Sequence, residues 1–265
     1  MHLSDTTWTD ADAVDTDLAL LPVGSTEQHG PHAPLGTDAL TAEEIATAGA
    51  EAYTEEAGDE VVVAPAVPVG VAEEHRQFTG TLWVSEDTFR DYVRETVASL
   101  ASHGWGRVVV VNGHGGNTDA LREVCGRVTR DTDAYAVAYT WFDAVKQSLT
   151  GSQNSESSDD AVDPAVSFGH GGPVETSVVR HLRPDLIRED RLDEAGDGAA
   201  DGWGEFESGT NLAYDSAEFS ENGTVGDPRD GSDELGEQAF EDAVDALVTL
   251  LERVADRDCN LPDHR

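Results

Sequence analysis

Glu27, His29 and Asp38 lie in one run, Gly24-Ser25-Thr26-Glu27-Gln28-His29-Gly30-Pro31-His32-Ala33-Pro34-Leu35-Gly36-Thr37-Asp38. In extended backbone, side chains at i and i+2 point the same way, so Glu27 and His29 can share a target. The prolines and glycines let the loop bring Asp38 back onto them. Carboxylates mixed with an imidazole suit a first-row divalent ion such as zinc, manganese or iron. A Glu-x-His pair alone is usually a solvated surface pair. Here the wholly apolar run Leu18 to Val23 precedes it and reads as a buried strand ending at Gly24. Open α/β sheets place their ligands just past the carboxyl ends of such strands.

Two further segments carry histidines into similar settings. Val108-Val109-Val110-Val111 is an unbroken β-branched run, as in strands covered on both faces. It leads into Asn112-Gly113-His114-Gly115-Gly116-Asn117, where glycines allow a sharp turn and a close approach to a ligand. Asn117 reads as the cap of a helix over 118–130. A glycine-rich turn with an incidental histidine is the plain alternative, and neither phosphate-cradling glycine pattern is present. In His170-Gly171-Gly172-Pro173-Val174-Glu175-Thr176-Ser177, Pro173 fits the first turn of a helix. Glu175 then sits where the helix dipole favours a carboxylate, although a cap beside a neutral loop histidine would explain the same residues.

Together these segments resemble the creatininase family of metal-dependent amidohydrolases. PVGSTEQHGPHAPLGTD, EHRQFTGT, VNGHGGN, HGGPVETS and NGTVGDP recur in order across about residues 18–228. The resemblance implies two divalent metal ions per subunit (zinc, iron or manganese), with Glu27, His29, Asp38 and His114 as ligands and Asp38 bridging. It places His170 and Glu175 at the reacting centre, as catalytic residues. It puts His75 and Arg76 along the substrate pocket; by composition their segment is only a polar loop, though a phosphorylated substrate would want a cation such as Arg76. It also implies a homo-oligomer.

Two departures bear on substrate. Creatinine-hydrolysing members carry a glutamate where this chain has Gly116, and Gly171-Gly172-Pro173 replaces the usual Ala-Gly-Glu. The HGGN form resembles members outside creatinine metabolism. One is the archaeal formamide hydrolase of flavin and deazaflavin biosynthesis, which deformylates a formylaminopyrimidine ribonucleotide. Another is the peptidase that trims the mycofactocin precursor. The expectation is hydrolysis of a small-molecule C–N amide bond, with the deformylase as the specific reading. Creatinine hydrolysis and mycofactocin-type peptidase activity are the alternatives, and a catalytically silent binding or assembly subunit is the non-enzymatic one.

The elements that must position these residues follow from hydropathy. Strands are expected at 18–23, 61–67, 107–112 and 135–140, with helices at about 39–57, 87–103 and 117–130. That alternation predicts an α/β three-layer sandwich with a mostly parallel central sheet, one domain over 1–265. An acidic run over 151–163 reads as a solvated loop. A Gly- and acid-rich segment over 191–232 carries Trp203, Phe206, Tyr214 and Phe219 and reads as a cover for the site or a contact with a neighbour. A final amphipathic helix is expected from about Asp233 to Ala255.

Asp and Glu number 54 against 16 Lys and Arg, a net charge of −38, and the single lysine is Lys146. Such a chain repels nucleic acid and anionic membranes. The acid is spread along the chain, and lysine is nearly absent, as in haloarchaeal cytosolic proteins; a halophilic protein is expected. Cys125 and Cys259 lack C-x-x-C spacing, which fits a reducing, cytoplasmic setting. No apolar run is long enough to span a membrane.

Overall fold

The computed structural model describes residues 1–150 and 168–259, the side chains of 147–150 excepted. The acidic run read over 151–163 lies outside the described residues. A short helix α1 (Trp8–Ala11) precedes strand β1 (Leu18–Val23). Then come α2 (Thr37–Ala57), β2 (Val62–Val63), α3 (Glu86–Ser102), β3 (Arg107–Asn112), α4 (Thr118–Asp131), β4 (Tyr135–Thr140) and α5 (Trp141–Thr150). After the undescribed stretch follow α6 (Pro173–Leu182), α7 (Leu192–Asp197), a small hairpin of β5 (Phe206–Glu207) and β6 (Thr210–Asn211), and α8 (Asp233–Ala255).

The main sheet has the order β2-β1-β3-β4 and is parallel throughout. β1 and β3 run in register from Leu18 opposite Arg107 to Val23 opposite Asn112. Both faces are covered, which explains why β1 is buried at all six positions and why these strands read as continuous apolar runs. Alternation along β3 divides the core. Val108 and Val110 pack with Phe89, Val93, Leu121 and Val124 of α3 and α4. Val109 and Val111 pack on the other face with Ile45, Val178, Leu247 and Leu251 of α2, α6 and α8. The result is the expected three-layer arrangement with a parallel sheet at its centre.

Two expectations need correction. The strand read over 61–67 reduces to Val62–Val63, with one further bridge at Val67. Pro65 and Pro68 remove the ladder donors that a longer strand would need. Asn117 precedes α4 but makes no capping hydrogen bond. Its Oδ1 accepts the Val71 N–H at 2.9 Å and its Nδ2 donates to the Gly24 carbonyl at 3.1 Å. It therefore braces the loop after β1 against the chain before the segment carrying His75.

The chain leaves β1 for β2 on one side, while β3 lies on the other. A crevice at the carboxyl ends of β1 and β3 is thus the point where strand order reverses, the usual ligand position in open α/β sheets. The Gly113 N–H donates to the Val23 carbonyl at 2.8 Å, so the loops carrying Glu27 and His114 leave the sheet side by side. Among the described residues no helix is long and apolar enough to cross a membrane.

Candidate metal centre

Glu27, His29, Asp38, His75, His114 and His170 are all buried within this crevice, and Glu175 is nearly so. Asp38 opens α2, while Glu175 stands in the first turn of α6 behind Pro173. His170 is held by a bridge to Val225, with hydrogen bonds in both directions. Close approach of backbone demands glycine at specific points. A Cβ at Gly113 would lie 2.1 Å from the Asp38 carbonyl oxygen, and one at Gly24 would lie 2.4 Å from the Ala39 nitrogen.

The carboxylates and imidazoles face one another in two sets. His114 Nδ1 is 3.1 Å from Glu27 Oε1 and 3.3 Å from Asp38 Oδ2. His29 Nε2 is 3.0 Å from Asp38 Oδ1 and 3.8 Å from Glu175 Oε2. Asp38 therefore turns one oxygen to each set. His170 Nδ1 lies 3.7 Å from Glu27 Oε1. Glu175 Oε2 also accepts the Gly171 N–H at 2.7 Å, which fixes its rotamer.

In their neutral form three histidines present a bare nitrogen inward. His114 Nε2 donates to the Val71 carbonyl at 2.7 Å, His29 Nδ1 to the Glu27 carbonyl at 3.2 Å, and His170 Nε2 to the Gln28 carbonyl. A carbonyl only accepts, so in each neutral ring the proton sits on the outer nitrogen. This is the arrangement by which metal-ligating histidines are oriented.

The electrostatics bear on what the site could hold. Burial alone would lower the His29 pKa, but Asp38, Glu175 and Glu27 overcome it and hold it at about 10. His114 is likewise raised against its own burial, by Glu27 and Asp38. Asp38 resists the rise that burial would cause and is pulled low by His29 and His114. Burial pushes Glu175 up to about 7. His170 falls well below 6.5 through burial and the nearby charge of His29. Both Glu27 carboxylate oxygens and Asp38 Oδ2 are buried without a hydrogen-bond partner. Burying ionised oxygens without partners is costly, and divalent cations would satisfy them. Glu27, His29 and Asp38, and separately His29, His170 and Glu175, bring ligand atoms within 4.8 Å of one another. The residues present therefore fit a metal.

The centre opens into a cavity of about 620 Å³, lined by Glu74, Phe142, Lys146, Phe168 and Trp203 around the histidines. Trp203 stands edge-on to His75 at 5.7 Å and to His170 at 6.0 Å. Of the two residues of the EHRQFTGT segment, His75 lies inside the centre. Arg76 is half-exposed, pairs with Asp215 at 2.8 Å and Glu73 at 3.3 Å, and does not line the cavity. Sequence reasoning missed Gln28, Ser216 and Gly223, which surround His75 from distant parts of the chain. Gln28 and Gly223 lie inside quoted motifs, the first and the last; nothing local marks Ser216.

Comparison with known proteins places these features in context. Residues 4–251 match the family described as Creatininase: Creatinine amidohydrolase. The mycofactocin precursor peptide peptidase of Mycolicibacterium smegmatis is 33% identical over 238 residues, covering 89% of this chain and 85% of that protein. A solved structure described as creatininase with Mn superposes with a TM-score of 0.76 at 25% identity, covering 97% of this chain and 99% of that one. A mutant creatininase of Zn–Zn type gives 0.72 at 25% identity, covering 97% and 98%.

Proposed function

The chain belongs to the creatinine amidohydrolase family, a family of hydrolases acting on C–N bonds, and from that premise we propose that it is a two-metal hydrolase of a small-molecule amide. The observation that carries this reading is buried Asp38, whose two oxygens face different imidazoles. Glu27, Asp38 and His114 would hold one ion; His29, Asp38 and Glu175 would hold the other. The similar structures described as containing manganese and as Zn–Zn type support a divalent-metal centre. Bound divalent ions lower the pKa of a coordinated water and polarise a carbonyl oxygen.

The protein's own groups do the rest. His170 is neutral, with its proton on Nε2 and Nδ1 turned toward Glu27. It can take a proton at Nδ1 and return it to the leaving nitrogen, as a general acid must. Phe142, Phe168 and Trp203 offer apolar faces to a planar substrate. The crevice around them limits water.

Gly116 bears on substrate. A Cβ there would lie 2.2 Å from the Val71 carbonyl oxygen and 2.5 Å from His114 Nε2. A glutamate at this position is thus incompatible with the contact that orients His114, and creatinine should turn over poorly. The finer reading is deformylation of a formylaminopyrimidine ribonucleotide. The aromatic wall and Lys146, the chain's only lysine, support it as partners for a base and a phosphate. Peptide cleavage is the second reading, favoured by the similarity to the mycofactocin precursor peptide peptidase.

An assay panel on metal-loaded protein in high salt tests these readings with creatinine, the formamidopyrimidine nucleotide and a short peptide. Formate release from the nucleotide, lost in His170→Ala, is expected. Robust creatinine hydrolysis would overturn the substrate argument. Peptide cleavage alone would select the second reading, and full activity in His170→Ala would remove His170 from the chemistry.

A further inference from the structure

His75 sits among the proposed ligands, and its Nε2 lies within 4.8 Å of ligand atoms of Glu27 and His170. By proximity it belongs to the coordinating set, but its hydrogen bonds say otherwise. Each of its three neighbours turns an N–H outward to a backbone carbonyl. His75 instead turns Nδ1 outward to the side-chain amide nitrogen of Gln28, at 2.8 Å.

The orientation of that amide is fixed from both ends. Gln28 Oε1 accepts the Gly30 N–H at 2.9 Å, and its Nε2 donates to the Gly223 carbonyl at 3.0 Å. Flipping the amide would set donor against donor and acceptor against acceptor. An amide nitrogen only donates, so Nδ1 of His75 must accept. The proton of the neutral ring therefore sits on Nε2, and a protonated nitrogen cannot ligate a metal. The Ser216 hydroxyl, 2.9 Å from the same Nδ1, also reaches the Glu74 carbonyl at 3.1 Å, so it needs no proton from His75. Gly223 leaves room for the clamp: its φ is +85°, and a Cβ there would lie 2.1 Å from Gln28 Oε1. The His75 ring is held flat against His170, with centroids 4.2 Å apart and planes 17° apart.

That leaves a buried Nε2–H facing inward. It has no hydrogen-bond partner, and neither do the carboxylate oxygens of Glu27. The two groups face each other at 3.5 Å, both fully buried. A buried donor left unmade is costly, and a carboxylate is its strongest available acceptor.

We propose that His75 is a positioning residue rather than a ligand: Gln28 locks it as the Nε2–H tautomer, and that N–H orients the Glu27 carboxylate toward the ion shared with His114. The inference rests on the two-metal reading above.

Two measurements on the full chain test this. The first is an imidazole nitrogen–proton NMR correlation on zinc-loaded, histidine-labelled protein, with the His75 signals assigned by their loss in His75→Gln. A proton on Nε2 and a bare Nδ1 are expected. A proton on Nδ1, or a zinc-bound Nε2, overturns the proposal. The second is zinc affinity measured by chelator competition. His75→Ala should weaken one ion about 10–100-fold, the usual effect of removing a partner that orients a ligand. His75→Gln, which keeps an N–H donor at similar reach, should recover much of the loss. Unchanged affinity in His75→Ala, or complete loss of an ion that His75→Gln does not recover, overturns it. A wild-type chain that takes up no zinc would instead reject the metal centre itself.

Discussion

Gly113 and Gly115 flank His114 in one loop, and the same substitution should be costly at the first and nearly neutral at the second. A Cβ at Gly113 would meet the Asp38 carbonyl oxygen at 2.1 Å and its carbon at 2.9 Å, against ordinary contact at 3.4–4 Å. The obstructing atoms are backbone in the first turn of α2, so they cannot rotate away. Relief requires the His114 loop and α2 to part by about 1 Å, an overpacking strain worth about 1–3 kcal/mol. At about 2–4 °C per kcal/mol for a chain of this size, Gly113→Ala should lower the melting temperature by about 2–12 °C. The same movement would widen the 3.3 Å separation of His114 Nδ1 from Asp38 Oδ2 and weaken metal binding. A Cβ at Gly115 would meet nothing within 4 Å, so Gly115→Ala should stay within about 0.5 kcal/mol of wild type. Calorimetry and chelator competition on both variants check this. Equal melting temperatures and equal metal affinities would refute the claim that backbone contact at Gly113 sets the ligand geometry.

The remaining expectations concern pH and salt. His32 is buried, its Nε2 is 2.8 Å from the Thr176 hydroxyl, and burial with the His29 and Arg180 charges lowers its pKa to about 4. Folded His32 then binds fewer protons than unfolded between about 4 and 6.5, so its contribution is intact above that window and is lost as pH falls through it. At about 1.4 kcal/mol per pH unit the loss is on the order of 3 kcal/mol; urea midpoints of wild type and His32→Gln should converge as pH drops from 7 to 4, and parallel curves would contradict it. The net charge of −38 should destabilise the folded chain in dilute buffer, and salt should screen that repulsion. The melting temperature should rise markedly from dilute buffer to molar KCl, and a flat dependence would remove the halophilic reading.

Much of the frame was legible because it depends on local pattern. The β-branched run of β3 and the apolar run of β1 announce strands covered on both faces. The α8 boundaries follow from an apolar stripe behind Ser232, whose side chain accepts from Leu235 N–H. The residues of the first motif were also readable, since type and spacing alone put Glu27 and His29 on one side of an extended segment. What sequence could not give is the pairing of distant polar groups. His75 reads as part of a polar loop, yet its ring is fully buried between Glu27, Gln28 and Ser216. Asn117 looks like a cap because caps are local; its actual partners, Gly24 and Val71, are set by how β1 and β3 pair. Arg76 drew interest as a cation near the site, but Asp215, brought in from far along the chain, takes it to the surface.

In the two-metal reading Asp38 would join two ions, because its oxygens face His29 and His114 separately. Elemental analysis after zinc loading and dialysis tests it most directly. Two zinc ions per chain are expected in the wild type, with loss of most of both in Asp38→Ala and the circular dichroism of the fold retained. One ion or none in the wild type, or unchanged zinc in Asp38→Ala, would contradict it.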